Sequence, residues 1–459
     1  MAKFNRLNFR QNIIDSKYIL LLPLIAAYEL WKINRTSSLS NHESQLFNYY
    51  LLINACIVLL AYRFNVSLGS FTLFNAGLFV ILYYQQTFSI PLFSISFLSF
   101  ILLFNLITLK LLWILPVKYS RCFTFAEFAI VFQAIYYYVV SIYVFNWQYW
   151  IVNDGSSMMM VAQKFDAICL ICYSTLAIHW MIAQFVSKLD PIIYLISLPL
   201  SLYVWLYHFL HIEPLYWFVT FFSSNQIRIY LLLFWFLVVL LTLTFVYIHT
   251  FLTVDRQTTT ATRKIFHLAI SIVYITGIKY DLLLLNFASK LILFIFIFIE
   301  IIRLSRIPVI VSIINTVFER FRDEKDSGIL TLTHIYLLIG CSLPLWLCND
   351  STNHRLLLSS GILSIGIGDT IASIVGITFG SRRQRWPNSS KTYIGTFGFF
   401  LSHFLSFFLL DYYYYNNLFN TNQLQLVIKV LIISIITCLM ETFTKHVDNL
   451  LLPLIEYFL

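Results

Sequence analysis

The segment that decides the fold runs from Gly366 to Thr396 and reads GIGDTIASIVGITFGSRRQRWPNSSKTYIGT. It begins as an apolar stretch of the kind that crosses a membrane, yet Asp369 lies near the centre of that stretch. Ionisable residues inside a membrane span are costly and are therefore functional candidates. After Gly380 the chain becomes basic and polar before it turns apolar again. We interpret the segment as a span, a polar loop and the start of a second span, with a candidate site where they meet.

Small residues recur at every fourth position of this first span. In a helix, Gly368, Ala372, Gly376 and Gly380 would form one smooth ridge. Such a ridge allows close approach either by a second helix, which is its more common use, or by a phosphate chain. The spacing leaves both alternatives open, and Asp369 beside the ridge favours the functional one.

The polar loop supplies positive charge and hydroxyl groups. Arg382, Arg383 and Arg385 are followed by the pair Lys391 and Thr392. Basic loops also set the orientation of membrane proteins, so a topological role is the alternative. A carboxylate, a glycine ridge, a basic loop and a Lys-Thr pair are together the parts needed to hold a metal-bound nucleoside triphosphate.

The composition indicates a membrane protein. The chain has 459 residues, of which 59% are hydrophobic and 11% are charged. Uncharged runs such as Ile229 to Phe251 match the roughly 20 residues that a helix needs to cross a bilayer. The formal net charge of +9 then encodes orientation and does not predict nucleic-acid binding. We predict an all-α, polytopic transmembrane helical bundle that is surrounded by membrane lipid.

The chain divides into two regions by the placement of its polar residues. Region 1–254 reads as a series of spans of unclear role, whereas in region 255–459 polar residues collect at the edges of the spans. The predicted spans of the first region lie near 18–32, 47–63, 67–84, 91–115, 124–146, 166–187, 191–210 and 229–253. Those of the second region lie near 265–279, 283–302, 331–348, 356–380, 394–411 and 424–440.

The second region opens with a basic helix start. Arg263 and His267 are four residues apart, with Lys264 adjoining, so a helix would place them together at the membrane surface. Cations at a helix N-terminus oppose the helix dipole, and a bound anion would relieve that conflict. These residues are either an anion-binding wall or simply a charged helix start.

Acidic residues follow in two further places. Asp326, with Asp323 and Glu324 beside it, either coordinates a divalent cation or caps a helix. Near the other end of the region, Glu441, Asp448 and Asn449 interrupt an otherwise apolar sequence. These residues are candidates for completing a metal site or an alcohol site.

The order of the predicted spans tests whether these segments meet. If the span near 229–253 ends on one side of the membrane, the segments 303–330 and 381–393 and the residues around Glu441 return to that same side. Most of the lysines and arginines of region 255–459 lie there too, so the positive-inside rule makes it the cytosolic side. The sequence therefore predicts one active site that faces the cytosol.

With these motifs assembled, the region from about 255 to 459 resembles the dolichol kinase family, within the wider group of CTP-dependent polyprenol and lipid kinases. Several motifs occur in the family's order, which makes the resemblance specific. They are RKIFH at 263–267, FRDEKDSGILTLTHIYLLIGCSLPLW at 321–346, GIGDTIASIVGITFG at 366–380, WPNSSKT at 386–392 with Gly395 and Thr396, and ETFTKHVDNLLLPL at 441–454.

The resemblance implies a reaction and a location. It implies transfer of the γ-phosphate of CTP to the terminal hydroxyl of dolichol, or of a related polyprenol, to give dolichyl phosphate for protein glycosylation. The enzyme would be a multi-pass protein of the endoplasmic reticulum membrane. Its cofactor would be a divalent cation, Mg²⁺ with Ca²⁺ as the alternative. No feature of the sequence predicts an oligomeric state.

This hypothesis gives each candidate residue a role. The catalytic residues are Asp369, Lys391 and Thr392. The predicted metal ligands are Asp369, Glu441 and Asp448, with Asp326 as a weaker candidate. The predicted CTP-binding and substrate-binding residues are Arg263, Lys264, His267, Gly366, Gly368, Gly376, Gly380, Arg382, Arg383, Gly395, Thr396 and Asn449.

One position departs from the family pattern. An acidic residue usually precedes the glycine of the KTxEGT-like motif, whereas Ile394 stands there in this chain. If that acid binds metal in relatives, Asp369, Glu441 or Asp448 must suffice here. The alternatives are a related CTP-dependent lipid alcohol kinase, a cytidylyltransferase, or a transporter in which buried carboxylates couple to ions.

Overall fold

The computed structural model describes most of the chain from residue 158 onward. The described ranges are 158–185, 191–252, 260–304, 329–347, 355–381, 384–387, 389–415, 423–444 and 447–458, with a few isolated positions elsewhere. The spans predicted before residue 158 lie outside them, as do Asp326, Arg382 and Arg383. Arg263 lies in a described helix, but its side chain is outside the described set.

The chain separates into two compact units. One is formed mainly by Met1–Asn153 and contributes only isolated described positions. The other is formed by Asp154–Glu324 and Thr331–Tyr457, and it contains the helices and the site that follow.

The described part of the second unit is helical. Its helices are α1 Met158–Phe185, α2 Pro191–Leu210, α3 Pro214–Ser223, α4 Gln226–Leu252, α5 Thr260–Tyr280, α6 Leu282–Arg303, α7 Thr333–Leu347, α8 Arg355–Leu358, α9 Thr370–Phe379, α10 Tyr393–Tyr415, α11 Gln423–Phe443 and α12 Asp448–Phe458. A π-helical segment, Ile362–Asp369, leads directly into α9. The described residues form no β-strand, and a single isolated bridge joins Arg385 to Thr392. The predicted all-α class is confirmed.

Helix length and composition confirm a polytopic membrane bundle. Within the described residues, five segments are long and apolar enough to cross a bilayer: Gln226–His249, Leu282–Arg303, Ile362–Phe379, Tyr393–Tyr414 and Gln425–Phe443. The predicted span near 265–279 forms helix α5, which is not among the five. Its sequence, TATRKIFHLAISIVYITGIKY, carries charged residues close to both ends.

A largely buried ion pair between Arg228 and Asp281 joins the helices at one end of the bundle. Asp281 caps α6 by accepting a hydrogen bond from the backbone N–H of Leu284 at 2.8 Å. The Arg228 guanidinium donates to Asp281 Oδ2 at 2.8 Å and to the Phe221 carbonyl at 3.0 Å. A buried charge is tolerated when it is paired in this way. These bonds hold the start of α4 beside the end of α5, so the end of α4 and the start of α5 lie at the opposite end of the bundle.

The small residues predicted to form a ridge do form a contact face. A Cβ atom added to Gly368 would lie 2.7 Å from the Phe399 ring, and one added to Gly376 would lie 3.6 Å from the Gly395 Cα. Both contacts are with α10, so the ridge lets α9 and α10 pack closely. Gly366 lies just before the ridge and faces α5, where an added Cβ would lie 1.8 Å from the Ser271 Oγ.

A second close approach positions the short helix α12. A Cβ atom added to Gly340 in α7 would lie 1.8 Å from the backbone oxygen of Asn449. Only glycine allows the two helices to approach this closely. The start of α12 is thereby held in the bundle, and α12 is buried from Leu450 to Tyr457.

Candidate active site

Lys391 lies at the centre of a cluster of carboxylates. It is in the loop between α9 and α10, and its Nζ forms an ion pair with Glu441 Oε1 at the end of α11. The same Nζ is 3.9 Å from Asp448 Oδ2 at the start of α12 and 4.0 Å from Asp369 Oδ1 at the end of the π-helical segment. The fold thus brings together four residues from distant parts of the sequence.

Asp369 is held from a second side by helix α5. Lys264 Nζ forms an ion pair with Asp369 Oδ2, and His267 Nε2 is 4.0 Å from the same oxygen. His267 Nε2 is also 3.3 Å from Asn449 Oδ1, which connects α5 to α12. Asp369 is only 3% exposed, and burying a carboxylate costs several kcal/mol unless it is paired. Two ammonium groups, those of Lys264 and Lys391, balance its charge.

The carboxylates around Lys391 keep its ammonium group protonated. Burial lowers the pKa of the Lys391 ammonium, but the charges of Glu441, Asp448 and Asp369 raise it by more. The net effect holds the pKa of Lys391 well above its ordinary value of 10.5. Lys391 is therefore a cation throughout the pH range in which enzymes work.

Trp386 holds the loop that carries Lys391. Its backbone N–H donates to the Lys391 carbonyl at 3.0 Å, and its indole N–H donates to Thr396 Oγ1 at 3.0 Å. The indole ring also contacts Tyr393 and Phe443, with ring centroids 4.5 and 5.4 Å away. The loop is therefore fixed to α10 and to the end of α11.

Thr392 directly precedes helix α10 and caps its N-terminus. Its Oγ1 accepts a hydrogen bond from the Gly395 backbone N–H at 3.1 Å, which is the contact of an N-cap residue with the third residue of its helix. Free backbone N–H groups and the helix dipole make such a terminus a site for anions. The start of α10 therefore adds partial positive charge next to Lys391.

A cavity of about 450 Å³ opens between α9, α10 and the loop. Its wall is polar along the loop and at the start of α10, and it is small or apolar along α9. The lining residues are Ala372, Ser373, Gly376, Ile377, Gly380, Ser381, Arg385, Ser390, Lys391, Thr392, Gly395, Thr396 and Glu441. Lys391 and Glu441 belong both to this lining and to the carboxylate cluster, so the cavity and the cluster adjoin.

The structure brings most of the predicted site residues to this region. Those that line the cavity are Lys391, Thr392, Thr396, Gly376, Gly380, Gly395 and Glu441. Those that lie in the adjoining cluster are Asp369, Lys264, His267, Asp448 and Asn449. Gly366 and Gly368 are not part of the lining and instead contact α5 and α10, as the packing alternative predicted.

Several features of the site could not be predicted from the sequence. Arg385 stood out as part of the basic loop, but its place in the cavity wall was not predicted. Ser373 and Ile377, which also line the cavity, looked like ordinary residues of a span. The ion pair between Lys264 and Asp369 joins residues 105 positions apart, and spacing within one helix cannot reveal such a pair.

The described residues contain no group of three His, Cys, Asp or Glu side chains arranged to hold a metal ion. Carboxylates are nevertheless abundant, since Asp369, Glu441 and Asp448 all lie within 4.0 Å of the Lys391 ammonium. In kinase sites Mg²⁺ is typically held by one or two carboxylates together with substrate phosphates. Carboxylate oxygens are the ligands that a hard divalent cation takes, so the chemistry of this donor set fits such a cation.

A helical membrane bundle with a cationic cavity beside buried carboxylates has the parts that a membrane-bound phosphotransferase requires. The sequence model described as dolichol kinase matches residues 72–398, and the chain belongs to the dolichol kinase family. The match begins well before residue 255, so the family relationship includes much of the region for which the sequence alone showed no role.

Curated relatives agree with this assignment. The chain is 32% identical to the human protein named dolichol kinase over 379 residues, which are 78% of this chain and 68% of that protein. It is 29% identical to the Saccharomyces cerevisiae dolichol kinase over 52% of this chain and 44% of the yeast protein. The bovine relative is 35% identical over 54% of this chain and 48% of its own length. No solved structure matches the chain. Members of this family are CTP-dependent kinases with an alcohol acceptor.

Proposed function

We propose that this chain transfers the γ-phosphate of CTP to the terminal hydroxyl of dolichol, at a site facing the cytosol in the endoplasmic reticulum membrane. The product, dolichyl phosphate, would serve protein glycosylation. The observation that carries the proposal is the position of Lys391, which lines the cavity and lies 4.0 Å from the buried carboxylate of Asp369. Family membership supplies the donor and the acceptor.

The polar wall of the cavity suits a triphosphate. Lys391 and Arg385 provide full positive charges, and the start of α10 provides backbone N–H donors behind the Thr392 cap. Ser381 and Ser390 add hydroxyl groups. Phosphoryl transfer depends mainly on positioning and on charge neutralisation, and these groups supply both.

The buried end of the site suits the acceptor. We assign proton acceptance to Asp369, because it lies on the same face of the α9 segment as the cavity lining and next to Lys391. The acceptor oxygen would bond to the γ-phosphorus while the bond to the leaving CDP breaks, and the hydroxyl proton would pass to Asp369. Lys264 and His267 would hold the Asp369 carboxylate in position for this transfer.

A divalent cation has candidate ligands beside the cavity. Glu441 and Asp448 would hold it together with phosphate oxygens, and Asp369 adjoins them. When bound, the cation would neutralise phosphate charge. In the structure the Lys391 ammonium lies among these carboxylates, so we infer that Lys391 shifts toward the phosphates when a nucleotide enters.

The deciding experiment uses the purified full-length protein with γ-labelled CTP and defined dolichols. We expect labelled dolichyl phosphate and CDP as products. Release of pyrophosphate would instead indicate a cytidylyltransferase, and a clear preference for another lipid alcohol would indicate a related kinase. Substrate uptake into liposomes without any CTP consumption would indicate a transporter and would overturn the proposal.

A matched pair of variants tests the site itself. Asp369→Asn should abolish transfer, whereas Asp166→Asn should retain it. Asp166 is also an ion-pair partner, of Lys290, but it joins α1 to α6, and neither helix contributes a residue to the site described above. Near-normal transfer by a well-folded Asp369→Asn variant would remove this residue from the mechanism.

A further inference from the structure

The proposed reaction requires a lipid alcohol to reach Asp369 from the bilayer. The loop wall of the cavity carries charged and polar groups such as Arg385, Ser390 and Lys391, which suit phosphates and do not suit a hydrocarbon. The start of α10 and Glu441 at the end of α11 are polar as well, so the apolar part of the wall is formed by α9, which is part of the membrane-spanning segment Ile362–Phe379. We therefore expect an acceptor that stays in the bilayer to enter along α9.

One face of α9 connects the buried carboxylate to the lipid-exposed surface. Asp369, Ser373 and Ile377 follow one another at steps of four residues, so their side chains share a face of the helix. Asp369 is 3% exposed, Ser373 is half-buried, and Ile377 is 63% exposed. Ser373 and Ile377 both line the cavity. The exposed fraction of the side chain therefore rises along this face from Asp369 through Ser373 to Ile377.

Ile374, the residue after Ser373, lies outside the cavity and so shows where the lining ends on α9. Ile374 follows Ser373 directly and is 44% exposed, yet it does not line the cavity. Ser373 and Ile377 therefore form the edge between the cavity and the lipid-facing side of α9. Ser373 offers a hydroxyl group that can form a hydrogen bond, whereas Ile377 offers a branched apolar surface.

We propose that Ser373 and Ile377 form the binding subsite for the head of the polyisoprenoid alcohol, an inference that rests on the proposed function. The first isoprene unit packs on Ile377, and the Ser373 hydroxyl forms a hydrogen bond with the alcohol and directs it toward Asp369. The rest of the isoprenoid stays in the bilayer beside α9, where removing each methylene from lipid would cost about 0.8 kcal/mol.

The first test compares two substitutions on the same helix. Ile377→Trp should raise the KM for a defined dolichol about ten-fold or more, because the larger ring occupies the subsite. The KM for CTP should stay within about two-fold, since the phosphate wall is unchanged. Ile374→Trp places the same ring on the adjacent lipid-facing position and should leave both constants unchanged. Equal effects of the two substitutions would indicate a general disturbance of the membrane surface and would overturn the proposal.

The second test concerns Ser373. Ser373→Ala should lower kcat about ten-fold without changing the KM for CTP, because one hydrogen bond that orients the acceptor is lost. Ser373→Thr, which keeps the hydroxyl group, should restore most of the rate. A merely structural role would instead appear as lost thermal stability in Ser373→Ala and as no rescue by threonine.

A third readout does not depend on turnover. An isoprenol that carries a diazirine in its first unit should label the peptide containing Ile377, and unlabelled dolichol should compete with the labelling. Labelling confined to other helices would overturn the subsite while leaving the kinase activity intact. If the wild-type protein phosphorylates no dolichol but the label still reaches Ile377, the proposed function fails and the binding subsite stands.

Discussion

Lys264 and Asp369 form a buried ion pair that joins the start of α5 to the end of the π-helical segment. Their side chains are only 13% and 4% exposed. The sequence predicts that Lys264 belongs either to an anion-binding wall or to a charged helix start, and in the structure its ammonium contacts the Asp369 carboxylate. The pair therefore holds the candidate catalytic base in position.

Breaking this pair should destabilise the protein. Lys264→Met leaves Asp369 with fewer compensating charges, and removing one partner of a buried pair typically costs about 3–5 kcal/mol. Thermal unfolding in detergent should therefore occur at a clearly lower temperature. The double variant Lys264→Met with Asp369→Asn should recover much of the stability but none of the activity. A double variant as unstable as Lys264→Met alone would contradict the pairing.

Lys391 should keep its charge at alkaline pH. Because the pKa of Lys391 is raised above 10.5, its stabilising contribution is complete below that pH and disappears only as the pH rises through the folded-state value. The stability difference between the wild type and Lys391→Met should therefore stay constant from about pH 7 to pH 10. Urea unfolding at several pH values measures it. A difference that shrinks within that window would show that the carboxylate cluster does not hold the ammonium.

Trp386 should affect CTP binding through the loop. Trp386→Leu removes the hydrogen bond to Thr396 and the contacts with Tyr393 and Phe443, so Lys391 loses its fixed position. We expect the KM for CTP to rise about ten-fold, because misplaced binding groups lose pre-organisation. Trp205→Leu is the control, since Trp205 is 56% exposed on α2. Equal CTP affinity in both variants would show that the loop needs no such anchor.

Gly395 should not tolerate a side chain. A Cβ atom there would lie 3.0 Å from both the Ala372 carbonyl oxygen and Thr392 Oγ1. Gly395→Ala should cost about 1–3 kcal/mol of stability by overpacking and should also weaken CTP binding, because this residue lines the cavity. Gly398→Ala meets the Val375 side chain at 3.2 Å and lies outside the lining, so it should affect stability alone. Unchanged CTP affinity in Gly395→Ala would place the nucleotide elsewhere.

The sequence predicted the parts of the site but not how they pair. Asp369 was a candidate because an ionisable residue inside an apolar span is costly and usually functional. The order of the spans predicted that Lys391, Glu441 and Asp448 return to the same side of the membrane. The structure brings these four residues together. The cytosolic orientation, the division of the chain between residues 254 and 255, and the roles of Arg263, Arg382, Arg383 and Asp326 stay predictions.

Other features could not be read from spacing. The π-helical segment before Asp369 has no periodic signal of its own, because its composition is that of any apolar span. The hydroxyl of Thr392, a predicted catalytic residue that lines the cavity, also caps α10, and the sequence could not show this because capping depends on where a helix begins. Gly366 and Gly368, which are predicted to bind substrate, face the neighbouring helices α5 and α10 in the structure. A glycine looks the same in sequence whether a helix or a ligand approaches it.

The place of Lys391 between the open cavity and Asp369 gives the site a built-in sequence of events. Without nucleotide, the ammonium shields the carboxylate, and a lipid alcohol arriving early would meet a base that is already occupied. We expect phosphates to attract the Lys391 ammonium outward, which exposes Asp369 Oδ1 while Lys264 still holds Oδ2. The acceptor alcohol could then reach that oxygen only once the triphosphate of CTP is seated.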